Sequence, residues 1–364
     1  MGETMTPRAR WLAAVRMEPV DRLPFWPKIF DAYLAAHGGA GRETIDALHA
    51  YVGSDRHEGL DSCLTEVRTD TAVTARRNGD TLIQTFTSPR GEAVMAQRWD
   101  EGSCSWHPIK FPVETREDIR ILTDVYRDCR WELDAARLEA AEARKAALGE
   151  DAVTTTGVGE SPFMWWLEYL AGVENGHLLL FDYPDEVTEL LDAMHGELCQ
   201  RARLLAERHP VDLFYMMENT STTLLSPAQY REYCQPYLRE YMDILHAHDR
   251  LTVLHMCGLL KVLLPDIREV GARAFEAFTS PPVGNTTLAD GRAACPDTCL
   301  IGGTNAVLWT QPSEEIIAEL EAHLAALPHT RGVVVTSAGV MPPLATPETI
   351  KTVAEWVRGY TARN

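Results

Sequence analysis

No apolar run in this sequence approaches the roughly 20 residues that a membrane-spanning helix requires, so no transmembrane segment is expected. Positive charge is scarce: 34 Lys and Arg stand against 53 Asp and Glu, a net charge of -19 at pH 7. That balance argues against a broad nucleic-acid or anionic-membrane footprint and leaves room for a partner with a basic surface. The opening Met1-Gly2-Glu3-Thr4-Met5 lacks the basic-then-apolar order of a secretory peptide. Eight scattered cysteines are therefore expected to be reduced thiols in a soluble, cytoplasmic protein. No repeat, low-complexity tract or Gly/Ser-rich linker divides the 364 residues, so one domain over 1–364 is expected.

What is present is alternation. Thr6-Pro7-Arg8-Ala9-Arg10 predicts a short helix with Thr6 as N-cap and Pro7 in its first position, and Val20 to Trp26 a first strand. Residues 65–112 differ, with Thr, Val, Ile and Gln interleaved with charges and turn signals at Asn78-Gly79 and Arg90-Gly91. They predict an antiparallel hairpin or small meander inserted early. From Glu117 helix and strand alternate: helices over 132–148, 185–208, 227–247, 260–270, 313–326 and 347–360, and strands over 152–157, 211–217, 251–254, 274–277, 298–301 and 332–336. Such alternation predicts an α/β fold with a parallel sheet closed into a (β/α)8 TIM barrel, whose chemistry sits at the C-terminal strand ends.

The residues at those ends are the ones to read. The apolar stretch Leu251 to Leu254 stops at His255, with Cys257 two positions on. Residues i and i+2 of a strand share a side, so imidazole and thiol can converge on one ion, and both are usual zinc ligands. The alternative is a core histidine beside a free cysteine. Glu276, at an apolar strand end on the next strand, supplies a third donor, because a buried carboxylate is costly unless paired or metal-bound. Glu218 ends the preceding strand and is open to three roles: fourth ligand, general acid or substrate anchor. Cys234 inside a helix, and Cys295 and Cys299 at the start of a strand, read as structural thiols. Phe25 and Trp26, with Glu160, Trp165 and Asn305 at other strand ends, are expected to wall a mostly apolar substrate pocket.

The combination of Thr6-Pro7-Arg8-Ala9-Arg10, Pro19-Val20-Asp21-Arg22-Leu23-Pro24, Leu225-Ser226-Pro227, Leu254-His255-Met256-Cys257-Gly258, Ile301-Gly302-Gly303 and Pro342 to Pro347 resembles the uroporphyrinogen decarboxylase superfamily over nearly the whole chain. The resemblance implies a (β/α)8 barrel and either a decarboxylase or a zinc methyltransferase serving corrinoid proteins or thiols. The decarboxylase branch carries an Arg-rich motif after the first strand, where this chain reads Phe25-Trp26-Pro27-Lys28-Ile29-Phe30-Asp31. His255, Cys257 and Glu276 resemble the zinc ligands of the methyltransferase branch. Thr87 to Gly91, His107 to Lys110 with Thr115 to Asp118, and Phe275 to Pro282 look like corrinoid-dependent O-demethylases. Thiol-directed members carry a further Cys where this chain has Ser337-Ala338-Gly339, which favours a harder, more Lewis-acidic ion.

The expected activity is therefore methyl transfer from a small methylated substrate, a methoxylated aromatic above all, to the Co(I) corrinoid of a separate protein. His255, Cys257 and Glu276 would hold the zinc, and Glu218 would donate a proton or orient the ring. Two rivals stay open: a metal-free decarboxylase-like enzyme, and a non-catalytic corrinoid- or tetrapyrrole-binding protein. Oligomeric state is not fixed by the sequence, and a homodimer is one open arrangement.

Overall fold

The computed structural model describes residues 4–39 and 41–363. Fourteen strands are assigned among them: β1 (Phe25–Trp26), β2 (Arg56–Gly59), β3 (Leu64–Val67), β4 (Ala72–Asn78), β5 (Thr81–Ser88), β6 (Gly91–Asp100), β7 (Ser105–Lys110), β8 (Arg130–Leu133), β9 (Ala152–Gly159), β10 (Leu213–Met217), β11 (Leu251–His255), β12 (Ala274–Phe278), β13 (Cys299–Gly303) and β14 (Val333–Thr336). Eight of these form one sheet in the order β1-β14-β13-β12-β11-β10-β9-β2, with all neighbouring strands parallel. With β1 beside β2 the sheet nearly closes into the expected barrel, ringed by helices.

Two cores follow from strand alternation. Side chains at every second position, Trp26, Val153, Tyr215, Val253, Ile301 and Val334, fill the barrel interior with Trp11. Their neighbours Phe214, Leu254, Phe275, Leu300 and Val335 pack outward against the helices. The meander expected over 65–112 is a four-stranded antiparallel sheet β4-β5-β6-β7, and β3 pairs separately with β8.

Three expectations are corrected. The helix read over 132–148 begins at Ala135, because residues 130–133 pair with β3 and Asp134 caps the helix through the Ala136 and Arg137 amides. The helix read over 227–247 is two, Pro227–Tyr233 and Gln235–His246. Pro236 lacks the amide a continuous helix would need there. Finally, β2 went unread: Arg56-His57-Glu58-Gly59 carries charge where a buried strand is expected to be apolar, and its charges are met by ion pairs to Asp46, Arg42 and Arg144.

The N-terminal end of the barrel is closed by the helix Pro7–Val15, whose Thr6 cap accepts from the Ala9 amide as expected. Asp55, fully buried just before β2, accepts from Arg10, from Arg22 Nη1 at 2.6 Å and from the Phe25 amide at 2.9 Å. The arginines of the two N-terminal motifs thus neutralise one buried carboxylate, which hydrogen bonding from both sides makes tolerable.

Candidate active site

At the opposite, C-terminal end, parallel register sets β11 beside β12 so that His255 and Glu276 are direct neighbours. Both lie on the inward-facing positions of their strands, continuing Val253 and Ala274. His255 Nδ1 is 3.2 Å from Glu276 Oε2. The approach is too poorly aligned for a hydrogen bond, and Nδ1 is a buried nitrogen without one. Glu276, 2% exposed, has its other oxygen on Lys28. Burial alone would raise the Glu276 carboxyl, but Lys28 and then His255 overcome this and hold it well below the usual range. Burial likewise opposes the charge on His255, yet Glu276, with a contribution from Cys257, lifts it to about 9. The ionised pair is the stable one.

Lys28 is a site residue that the sequence reading passed over. It lies two residues past the end of β1, where the backbone turns at a φ of +48°, and its ammonium is 5.4 Å from the Trp26 ring centroid. It is 94% buried, and a lysine held so deep needs the carboxylate it meets. A charged residue at i+2 from an inward-facing Trp was the signal available.

The donors only partly fit zinc. Two ligands on one tetrahedral zinc at about 2.0 to 2.1 Å stand roughly 3.3 Å apart, which is close to the His255–Glu276 separation, and Nδ1, ion-paired with Glu276 but without a directed hydrogen bond, would become a ligand on giving up its proton. Cys257 is less well placed. β11 ends at His255, so the strand alternation that would align Cys257 with it does not extend that far, and the exposed thiol sits 3.8 Å from Asn219 Oδ1. Gly258 follows with φ of +95°, and a Cβ there would meet Ser221 Oγ at 2.6 Å, so the turn that carries Cys257 requires glycine.

Among the described residues, the His, Cys and carboxylate donors that do converge are His195, Cys199 and Glu240. They lie on the outer helices Pro184–Arg208 and Gln235–His246, where His195 joins Glu240 at 2.8 Å and Tyr241 at 2.9 Å. This trio ties two helices together on the barrel's outside.

The Glu218 amide donates to the His255 carbonyl at 2.9 Å, while its carboxylate is engaged elsewhere. Its oxygens accept from the Ser161 amide and hydroxyl, both at 2.6 Å, and from Thr220 at 3.2 Å, so it anchors the turn after β9. Burial pushes it up to about 7. The carboxylate nearer the His255 face is Glu168, which accepts from Asn219 at 3.4 Å and is raised by burial to about 7. The aromatic pattern around Trp165 concealed it.

The expected pocket residues separate. Glu160 and Trp165 line a cavity of about 380 Å³ beside β9, together with Tyr126 and Trp131. Phe25 and Trp26 do not line it. They are successive strand residues and point opposite ways: Trp26 stacks on His57 inside the barrel, and Phe25 on Trp309 outside. Asn305 caps the turn at Leu308 and donates to Ser280 at 2.9 Å, a structural assignment. Cys295 and Cys299 are buried just before and at the start of β13, and Cys234 is buried beside Ser161 and Glu218. No described helix is long and apolar enough to cross a membrane.

Comparison with known proteins locates this geometry. The family model described as uroporphyrinogen decarboxylase (URO-D) matches residues 107–360. A solved structure, a methyltransferase from Methanosarcina mazei, superposes with a TM-score of 0.62 at 16% identity, covering 98% of each chain. A putative vitamin-B12-independent methionine synthase from Listeria monocytogenes is similar at a TM-score of 0.44 and 11% identity, over 61% of this chain and 68% of its own. No curated protein matches.

Proposed function

The chain belongs to the uroporphyrinogen decarboxylase family, and from that premise we propose that it is a methyltransferase of the family, moving a methyl group from a small methoxylated aromatic to the Co(I) corrinoid of a separate protein. The observation that carries this reading is His255 Nδ1, buried and without a hydrogen bond beside an ionised Glu276 at the C-terminal strand ends. His255 and Glu276, with Cys257 after rotation of its exposed side chain, would hold a zinc ion, which when bound supplies Lewis acidity toward the departing oxygen.

The rest is the work of the chain's own residues. Lys28 holds the Glu276 carboxylate toward His255 and keeps it charged. Glu168, on the same face through Asn219 and with its pKa near 7, is suited to protonate a phenolate as it leaves. The aromatic walls around Trp165 suit a ring. The methyl carbon breaks its bond to the ether oxygen and bonds to the acceptor, and the oxygen keeps the electron pair and takes the proton.

Decarboxylation of a porphyrinogen fits less well. Its several carboxylates would meet Glu160, Glu168 and Glu276, and only Lys28 stands where the resemblance calls for arginines. The test is bound-metal analysis joined to a methyl-transfer assay with reduced corrinoid. One tightly held zinc and activity lost in His255→Ala are expected; a zinc-free protein whose variant keeps full activity would overturn the proposal.

A further inference from the structure

Two buried polar atoms of opposite character line the cavity beside β9 without partners. They are Glu160 Oε2 and Arg201 Nε. The other charged groups there are already engaged. Glu66 pairs with Arg68 at 2.8 Å, and Glu197 accepts from the Trp131 indole. Arg201 itself donates through Nη2 to the Gly157 carbonyl at 3.2 Å, with its guanidinium 5.2 Å from the Trp131 ring centroid. That leaves one acceptor and one charge-assisted donor for a ligand, between aromatic walls formed by Tyr126, Trp131 and Trp165. Burial first, then the nearby Glu168 and Glu218, push the Glu160 carboxyl up to about 10, so it is protonated in the free protein and an ammonium beside it would favour the ionised form.

We propose that this cavity binds a zwitterionic amino acid with an aromatic body, its ammonium on Glu160 and its carboxylate on Arg201. An aromatic acid without the ammonium leaves Glu160 unmatched, and an aromatic amine without the carboxylate leaves Arg201 Nε unmatched. A buried polar group left unpaired is worth about 10-fold or more in affinity. The volume, about 380 Å³, lies within the range of small-molecule sites. The proposal rests on the methyltransferase reading only in naming the methylated form, an O-methylated aromatic amino acid, as the donor.

Calorimetric titration of the full chain with three probes tests it: O-methyl-L-tyrosine, O-methyltyramine, which lacks the carboxylate, and 3-(4-methoxyphenyl)propionate, which lacks the ammonium. The zwitterion is expected to bind at least about 10-fold more tightly than either analogue. Glu160→Gln should erase its advantage over the propionate, and Arg201→Gln its advantage over the tyramine. Equal binding of either analogue to the unmodified protein, or no binding of any probe, overturns the proposal without reliance on a variant's folding. Adding reduced corrinoid separates the two readings. Zwitterion binding without methyl loss defeats the methyltransferase assignment and leaves the pocket standing, whereas methyl loss without zwitterion preference defeats the pocket alone.

Discussion

The two ends of the barrel each bury a carboxylate among cations, and they finish the task differently. At the N-terminal end Asp55 takes hydrogen bonds from Arg10, Arg22 and the Phe25 amide. At the C-terminal end Glu276 meets Lys28 and His255, yet His255 Nδ1 has no hydrogen bond, and nearby Glu160 and Arg201 carry orphaned atoms too. A buried charge with full hydrogen bonding specifies a fold, whereas buried groups left short of partners store a capacity for a ligand. The contrast matches the division of labour in barrels, where the N-terminal face carries stability and the C-terminal face chemistry.

Breaking the stability end should cost most. Asp55→Ala leaves two buried guanidinium groups uncompensated, and chemical denaturation is expected to show a loss of about 3 to 5 kcal/mol. A loss below about 1 kcal/mol would mean that the two ends do not differ in kind. His255→Gln should do the reverse: stability within about 1 kcal/mol of the parent, with methyl transfer and zinc retention each down by at least about 100-fold. Full activity in that variant would remove the chemistry from this end.

Proton linkage sharpens the contrast further. Burial, with Glu168 and Glu218, pushes Glu160 up to about 10, above its unfolded value. Its contribution to stability is therefore complete below the unfolded pKa and is lost as pH rises toward about 10, at up to about 1.4 kcal/mol per pH unit. Glu168 and Glu218 titrate near 7, and His255, lifted to about 9, is common to parent and variant, so the difference between the two proteins from pH 7.5 to 9.5 reports Glu160. Denaturation midpoints of Glu160→Gln should fall less steeply across that interval than those of the parent, and parallel curves would contradict the assignment. The smallest effect is expected outside the barrel. Glu240→Ala removes a half-exposed partner of His195 and should cost less than about 1 kcal/mol and no activity. Loss of zinc in this variant, with zinc kept in His255→Gln, would transfer the metal site to the outer trio.

Much of this was legible in the chain itself. The barrel followed from the alternation after Glu117, and the helix start at Thr6 from its cap. His255 and Glu276 were readable because each breaks an apolar strand on the inward phase, His255 as the last residue of β11 and Glu276 in the middle of β12. Cys257 was read from alternation carried one step beyond the strand's last residue, and its side chain nonetheless contributes to the charge on His255. For Glu218 a strand end gave position but not direction: the carboxylate turns to Ser161, 57 residues away in the chain, a contact that no local pattern announces. Phe25 and Asn305 were assigned to the pocket because each stands at a strand end, which gives the level in the barrel and not the direction of the side chain. Glu168, Lys28 and β2 were missed because their charges find partners remote in sequence.

The sequence by itself determined the order and period of the elements, and with them which residues reach the C-terminal mouth, because periodicity and capping are local properties of the backbone. Only the tertiary structure decided which charges meet. Lys28 and Glu276 are 248 residues apart in the chain and in contact across the closed sheet. Pairing of that kind depends on barrel register and desolvation, and neither is written in any short stretch of residues.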